Sequence, residues 1–204
     1  MRELAIYGGT FAPIHNGHIR AAEVFLKAVD PDKLLIIPTL IPPHKQITFK
    51  DDPQHRLNML HLAFNSHPEY EKRIFISDYE INSPPPSYTV NTLRHFSAPD
   101  SRITFLCGTD MFLTIHSWYK PEEILKLSRI AVMMRNDRTP NESFAIEQQK
   151  KFLTSKYGAD VITIDDDPIA ISSSEIRNGS DEIRKKYLPP LVYDYILENH
   201  LYAQ

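Results

Sequence analysis

Apolar and polar positions alternate along this chain in two rhythms that take turns. Leu4-Ala5-Ile6-Tyr7 is a short apolar run, and Ile19, Ala22, Phe25, Leu26 and Val29 then recur at helical spacing. Asp30-Pro31 ends that helix, because a residue before proline disfavours helical geometry. Lys33-Leu34-Leu35-Ile36-Ile37 is continuously apolar, as a strand covered on both faces of a parallel sheet would be. Asp52-Pro53 opens a second helix with Leu57, Leu60 and Phe64 on one face. Ile74-Phe75-Ile76 reads as a third strand, and Ser87 as the cap of a helix carrying Val90, Leu93 and Phe96. Strands follow at 102–107, 130–134 and 161–164, with a short helix from Pro121 between the first two. A polar loop over 136–143 leads to a helix that Gly158 stops. Ser172-Ser173-Ser174-Glu175 has the capping-box pattern, and the tail from Pro190 reads as a last helix with Val192 and Ile196 inside.

Strands alternating with helices predict an α/β fold, Rossmann-like and doubly wound, with a mainly parallel sheet and helices on both faces. With 204 residues and no linker or repeat, the chain reads as a single domain over 1–204, its C-terminal helical part starting at about 172. Ligands of such sheets bind at the carboxyl ends of the strands. The polar signals fall there: after the first strand, after the second, and after the strands ending near Cys107, Met134 and Ile164.

The richest of these places is Gly8-Gly9-Thr10-Phe11-Ala12-Pro13-Ile14-His15-Asn16-Gly17-His18. Glycines after a strand allow a tight turn and close backbone approach to a ligand. The helix that starts near His18 points its unpaired N–H groups and positive dipole end back at that turn. For His15 and His18 three readings are open: local packing, metal ligation, or contact with phosphate. No cysteine and no His-Glu set accompanies the pair, so phosphate is the better chemical match.

Composition narrows the class further. The formal charge of −3 gives no general pull towards nucleic acid or membrane, so any anion site is local. A single cysteine, Cys107, suits a reducing compartment. The chain enters a strand at once, without a leader pattern, and no apolar run approaches the roughly 20 residues that span a bilayer. A cytoplasmic location, with no membrane and no nucleic acid polymer as partner, is the expectation. The sixteen prolines cluster at Pro42-Pro43, Pro84-Pro85-Pro86 and Pro189-Pro190, where they stiffen connections.

The opening stretch resembles the GGTFDPxHxGH signature of the nucleotidyltransferases with a paired-histidine motif, and Ile171-Ser172-Ser173-Ser174-Glu175-Ile176-Arg177 resembles their second signature, ISSTxxR. Between them, Pro42-Pro43-His44-Lys45, Pro86-Ser87-Tyr88-Thr89-Val90-Asn91-Thr92, Gly108-Thr109-Asp110 and Trp118-Tyr119 resemble the bacterial nicotinate-nucleotide adenylyltransferases, in the right order over nearly the whole chain. The resemblance implies transfer of AMP from ATP to nicotinate mononucleotide, giving deamido-NAD (nicotinate adenine dinucleotide) and pyrophosphate. The acceptor phosphate would attack the α-phosphorus in line, without a covalent enzyme intermediate. Catalysis is then mostly alignment and charge stabilisation.

Carried over residue by residue, the resemblance puts Gly8, Gly9, Thr10, Phe11, His15 and His18 around the ATP phosphates, His18 being the stabiliser of the transition state. Ser173 and Arg177 would hold the far phosphates, Asp110 the ribose and Arg135 the adenine end, with Ser172 and Gly108 also on the ATP side. Lys45 would meet the acceptor phosphate, Thr89 the ring carboxylate, and Trp118 with Tyr119 the pyridinium face. Mg²⁺ is implied by the triphosphate, held by phosphates and water instead of by a protein motif. A homodimer is the family's suggestion alone. Ala12 and Asn91 depart from the pattern, which has an acid at both positions. With His15, His18, Lys45 and Arg177 in place, a working enzyme is still expected. The competing readings are the same chemistry on nicotinamide mononucleotide or phosphopantetheine, and a nucleotide-binding regulator without catalysis. A dinucleotide-dependent oxidoreductase is weaker, since no GxGxxG follows the first strand.

Overall fold

The computed structural model describes residues 2–43, 52–65, 70, 72–135, 138–166 and 169–202, with the side chain of Arg135 left out. Six strands, β1 (Arg2–Gly9), β2 (Lys33–Pro38), β3 (Ile74–Ile76), β4 (Ser101–Gly108), β5 (Ser128–Arg135) and β6 (Val161–Asp166), form one sheet in the order β3-β2-β1-β4-β5-β6. Every neighbouring pair runs parallel. The order reverses between β1 and β4, so the strand ends on either side of that line open a crevice.

Successive residues of the strands feed opposite faces. Ala5, Leu34, Ile36 and Ala131 enter one core with Phe25, Met59, Leu60, Val192 and Ile196. Ile6, Ile37, Ile130 and Val132 enter the other with Leu93, Phe112, Ile124 and Leu153. Because both faces are covered, the strands read as unbroken apolar runs.

On the first face lie α1 (Asn16–Val29), α2 (Pro53–Asn65) and a C-terminal group, α7 (Ser173–Asn178), α8 (Asp181–Tyr187) and α9 (Pro190–Glu198). On the second lie α3 (Thr89–Phe96), α4 (Thr109–Thr114), α5 (Pro121–Leu127) and α6 (Pro140–Tyr157), with a 3-10 turn, Ile115–Ser117, after α4.

Three local expectations are corrected. Ser87 does not cap α3: the N-cap is Tyr88, and the Ser87 hydroxyl accepts a hydrogen bond from the Leu40 amide at 3.0 Å. The helix after β5 begins at Pro140, not after Ser143, because Thr139 and Glu142 form a capping box that starts it early. The inner face of α2 is Arg56, Met59, Leu60, Ala63 and Phe64, and Leu57 is only half-buried. Gly158 does end α6 in the left-handed conformation, at φ 65°.

Candidate active site

The phosphate half is built first from β1. After Gly9 the chain leaves the sheet at Thr10, and Phe11 takes a left-handed backbone, φ 49°, with its side chain buried. Phe11 packs edge-on against His18, the ring centres 5.1 Å apart. His15 is the N-cap of α1 and its carbonyl accepts from the amides of His18 and Ile19, so the helix starts two residues before the second histidine. That register stacks the two imidazoles, 3.7 Å between centroids and 23° between planes. Gly17 makes the stack possible: a Cβ there would sit 3.0 Å from His15 Nδ1 and 3.2 Å from the Ile169 carbonyl.

The two rings differ in environment. His15 is 4% exposed, its Nδ1 has no hydrogen-bond partner among the described residues, and burial pushes its pKa down to about 4 against the opposing pull of Glu175. His18 is the more open of the pair. Near neutral pH His15 is therefore an uncharged ring stacked on His18.

The second signature docks directly on the first. Ser172 and Glu175 close a capping box at the start of α7, and the hydrogen bonds from Ser172 hold the Glu175 carboxyl below the usual carboxylate range. The next residue, Ser173, donates its hydroxyl to the Pro13 carbonyl at 2.9 Å. Arg177, one turn on, donates to the Ala12 carbonyl and to Ser174 Oγ. Residues 160 positions apart in sequence thus form one joint, in which the Ser173 hydroxyl and the Arg177 guanidinium bond the backbone carbonyls of the turn. The Ala12 side chain, where the family pattern has an acid, is 1% exposed.

The acceptor half is assembled from loops. Residues 84–88 lie along the loop after β2: Leu40 N–H meets Ser87 Oγ, and Ser87 N–H donates to the Ile41 carbonyl at 2.9 Å. Thr89 is the first residue of α3 and is half-buried. Tyr119, 50% exposed, lies against Tyr88 with ring centres 4.6 Å apart, which brings the Trp118-Tyr119 segment to the start of α3. Trp118 is half-buried, edge-on to Phe105 at 6.4 Å, and its indole N–H reaches Thr114 Oγ1 at 3.4 Å. Gly108 and Asp110 are exposed at the end of β4 and in the first turn of α4, and a Cβ at Gly108 would meet nothing within 4 Å. Arg135 ends β5, while Lys45 lies outside the described residues.

Three polar residues that sequence reasoning passed over hold these halves in place. Arg20 pairs with the buried Asp166 at the end of β6 (3.0 Å), pinning α1 to the far side of the crevice. Arg56, 1% exposed, donates to the carbonyls of Thr10 at 2.9 Å and Thr39 at 2.6 Å. Glu80, 6% exposed, accepts from the Thr92 hydroxyl at 2.5 Å. An arginine on the inner stripe of a helix was the available signal for Arg56; nothing in the local pattern marked Glu80.

Among the described residues no group of three or more His, Cys, Asp or Glu is placed to hold an ion. No helix among them is long and apolar enough to cross a membrane.

The sequence model of the cytidylyltransferase-like family matches residues 6–179, from β1 through α7. The chain belongs to that family. A relative from Caldicellulosiruptor saccharolyticus, named "Probable nicotinate-nucleotide adenylyltransferase", is 35% identical over 99% of this chain and 100% of its own length. One of the same name from Clostridium botulinum (strain Loch Maree / Type A3) is 37% identical over 97% and 98%. Among solved structures, Plasmodium falciparum nicotinic acid mononucleotide adenylyltransferase complexed with NaAD has the same fold, with a TM-score of 0.76 at 24% identity over 99% of this chain and 98% of that one. The cytidylyltransferase-like match ends at the last residue of the second signature's neighbourhood, so both rims of the phosphate half lie inside it.

Proposed function

We propose that this chain is a nicotinate-nucleotide adenylyltransferase, moving AMP from ATP to nicotinate mononucleotide and releasing pyrophosphate. The observation that carries the reading is the joint between its two outer signatures. The paired-histidine turn and the start of α7 meet through Ser173 to Pro13 and Arg177 to Ala12, at the strand ends where the sheet reverses. Relatives at 35% and 37% identity over essentially full length carry the acceptor in their names.

In this reading a phosphate oxygen of the acceptor attacks the α-phosphorus of ATP, a P–O bond forms, and the bond to the bridging oxygen of pyrophosphate breaks. The acceptor brings its own anionic nucleophile, so no protein nucleophile is needed. His18 donates a hydrogen bond to the phosphates as charge spreads, and neutral His15 supports its ring. Ser173, its hydroxyl turning from the Pro13 carbonyl, and Arg177 take the β- and γ-phosphates, with the amides of the turn and of α1 supporting the same anion. Gly108 leaves its space to the nucleoside, Asp110 and Arg135 bind towards the ribose and the adenine, and Lys45 meets the acceptor phosphate. Thr89 reads the ring carboxylate, and Trp118 with Tyr119 covers the pyridinium. Mg²⁺, carried in on the triphosphate, neutralises part of its charge. The single buried cysteine fits a cytoplasmic setting.

The test compares catalytic efficiency of the purified chain, with ATP and Mg²⁺, on nicotinate and nicotinamide mononucleotides. A marked preference for the carboxylate is expected, because a site built to donate to a carboxylate leaves the amide's N–H groups unpaired. Preference for the amide would overturn the acceptor. ATP binding without pyrophosphate release on either would leave a nucleotide-binding regulator in its place.

A further inference from the structure

Arg56 lies under the crevice floor, on the inner face of α2, and is 1% exposed. Its Nη1 donates both to the Thr10 carbonyl, in the phosphate turn, and to the Thr39 carbonyl, in the loop that leads to the acceptor motifs. Its Nη2 reaches the Leu40 carbonyl at 3.4 Å. The same loop is gripped from the other side. The Leu40 amide donates to Ser87 Oγ at 3.0 Å, and the Ser87 amide donates to the Ile41 carbonyl at 2.9 Å. A hydrogen-bonded chain therefore runs from Ser87, just before α3, through Leu40 and Thr39 to Arg56, and ends on Thr10 beside the histidine turn.

A fully buried guanidinium is costly unless its donors are used. Its partners are backbone carbonyls of two loops that approach different substrates. A planar fork fixes the spacing of those carbonyls more tightly than a point charge on a flexible stem would. In a reaction where the enzyme mainly aligns two phosphates, that spacing controls the rate, since a misplacement of about 1 Å can lower turnover by about 10².

We propose that Arg56 and Ser87 are positioning residues that hold the acceptor loops at a set distance from the phosphate turn, so that they govern turnover and not the affinity for either substrate. The proposal rests on the adenylyl-transfer reading. The experiment is a steady-state comparison of Arg56→Lys, Ser87→Ala and the double variant, with amide hydrogen exchange on each. Arg56→Lys should lower kcat by about 10- to 100-fold and Ser87→Ala by about 5- to 10-fold, with both KM values within about threefold of wild type. The double variant should lose no more than the worse single one, because the residues act through the same backbone segment. Loss confined to KM, single effects that multiply, or unchanged kcat in Ser87→Ala would each overturn the role. Ser87→Ala removes one hydroxyl and decides the matter should Arg56→Lys not fold. If the wild-type chain makes no dinucleotide at all, the underlying reading fails, and exchange judges the tether by itself. Arg56→Lys should then speed exchange of the Thr39 and Leu40 amides at least about tenfold relative to the Phe105 amide inside β4. Equal exchange at all three would refute the tether.

Discussion

The phosphate turn and the acceptor loops both carry irregular backbone to the carboxyl ends of strands, yet they are secured in different ways. The turn is packed from below: Phe11, Ala12, Ile14 and His15 are all at most 4% exposed, and α7 clamps its carbonyls from above. The acceptor loops keep their chemistry at the surface. Asn91 and Tyr119 are exposed, Thr89 and Trp118 half-buried, and hydrogen bonds of the Arg56 and Ser87 side chains hold the loop after β2 in place. The contrast suits the parts they bind. Triphosphate charge is stabilised best by donors that cost no reorganisation, whereas an aromatic ring needs an open face to enter. Rigidity belongs to the half where charge develops, and exchange of ligands to the half that is open.

Breaking the rigid half should therefore hurt turnover most. His18→Ala should lower kcat by about 10²–10³ while leaving the acceptor KM nearly unchanged, as expected for a lost donor to a charged transition state. Pyrophosphate release under saturating substrates measures it, and an unchanged rate would remove His18 from that role.

The buried partner of the stack predicts a pH effect on stability. Burial holds the His15 pKa in the fold at about 4, below the 6.5 of an exposed imidazole, so the folded chain resists the proton that the unfolded chain accepts. Stability is fully present above pH 6.5, falls as pH drops through the window from 6.5 to about 4, and loses nothing further below it. At pH 5 the fold has lost about 2 kcal/mol of stability relative to neutral pH through this ring. Denaturant unfolding of wild type and His15→Gln at pH 7 and pH 5 isolates it, because carboxylates that titrate in the same range cancel between the two proteins. Equal pH dependence in both would show that burial of this ring is not the cause.

A smaller change tests the geometry of the stack. Gly17→Ala places a methyl at 3.0 Å from His15 Nδ1 and 3.1 Å from its Cε1, so the ring must shift by a few tenths of an ångström. Turnover should fall by about 10- to 100-fold with ATP KM little altered, since misalignment and not lost binding is the defect. Wild-type turnover would mean that His15 can move without consequence.

The open half responds more mildly. Trp118→Ala should raise the acceptor KM by about 2- to 30-fold, the range of a cation–π contact worth about 0.5–2 kcal/mol, and leave ATP KM alone. Initial rates with each substrate varied in turn separate the two, and a selective loss of ATP affinity would put the indole on the wrong substrate.

The same contrast explains what could be read from sequence. The parallel sheet between two layers of helices follows from short apolar runs alternating with helical spacing, and the phosphate half follows because its parts are contiguous in Gly8 to His18 and in Ser172 to Arg177. What escaped depends on partners far apart in the chain. Arg56 acts on carbonyls 46 and 17 residues away, which no local pattern records. Ser87 has the right chemistry for a cap, but a tertiary partner, the Leu40 amide 47 residues away, uses its hydroxyl instead. α8 escaped for another reason: none of its residues is buried, so it has no apolar stripe to show. The early start of α6 was legible in principle, since Thr139-Pro140-Asn141-Glu142 spells its capping box.

The mildest prediction concerns the departure from the family pattern on the open half. Asn91 is exposed, and its side-chain oxygen accepts from Arg94 at 3.4 Å. Arg94 is already neutralised by a two-point pair with Glu123, which raises the arginine's pKa and lowers that of the acid. An acid at position 91 would thus meet a guanidinium whose charge is satisfied, in water that screens both. Asn91→Asp should change kcat and the acceptor KM by no more than about twofold, at low salt or high. A tenfold gain would show that the carboxylate acts on the substrate and not through Arg94, and would move position 91 from the rim of the acceptor site into it.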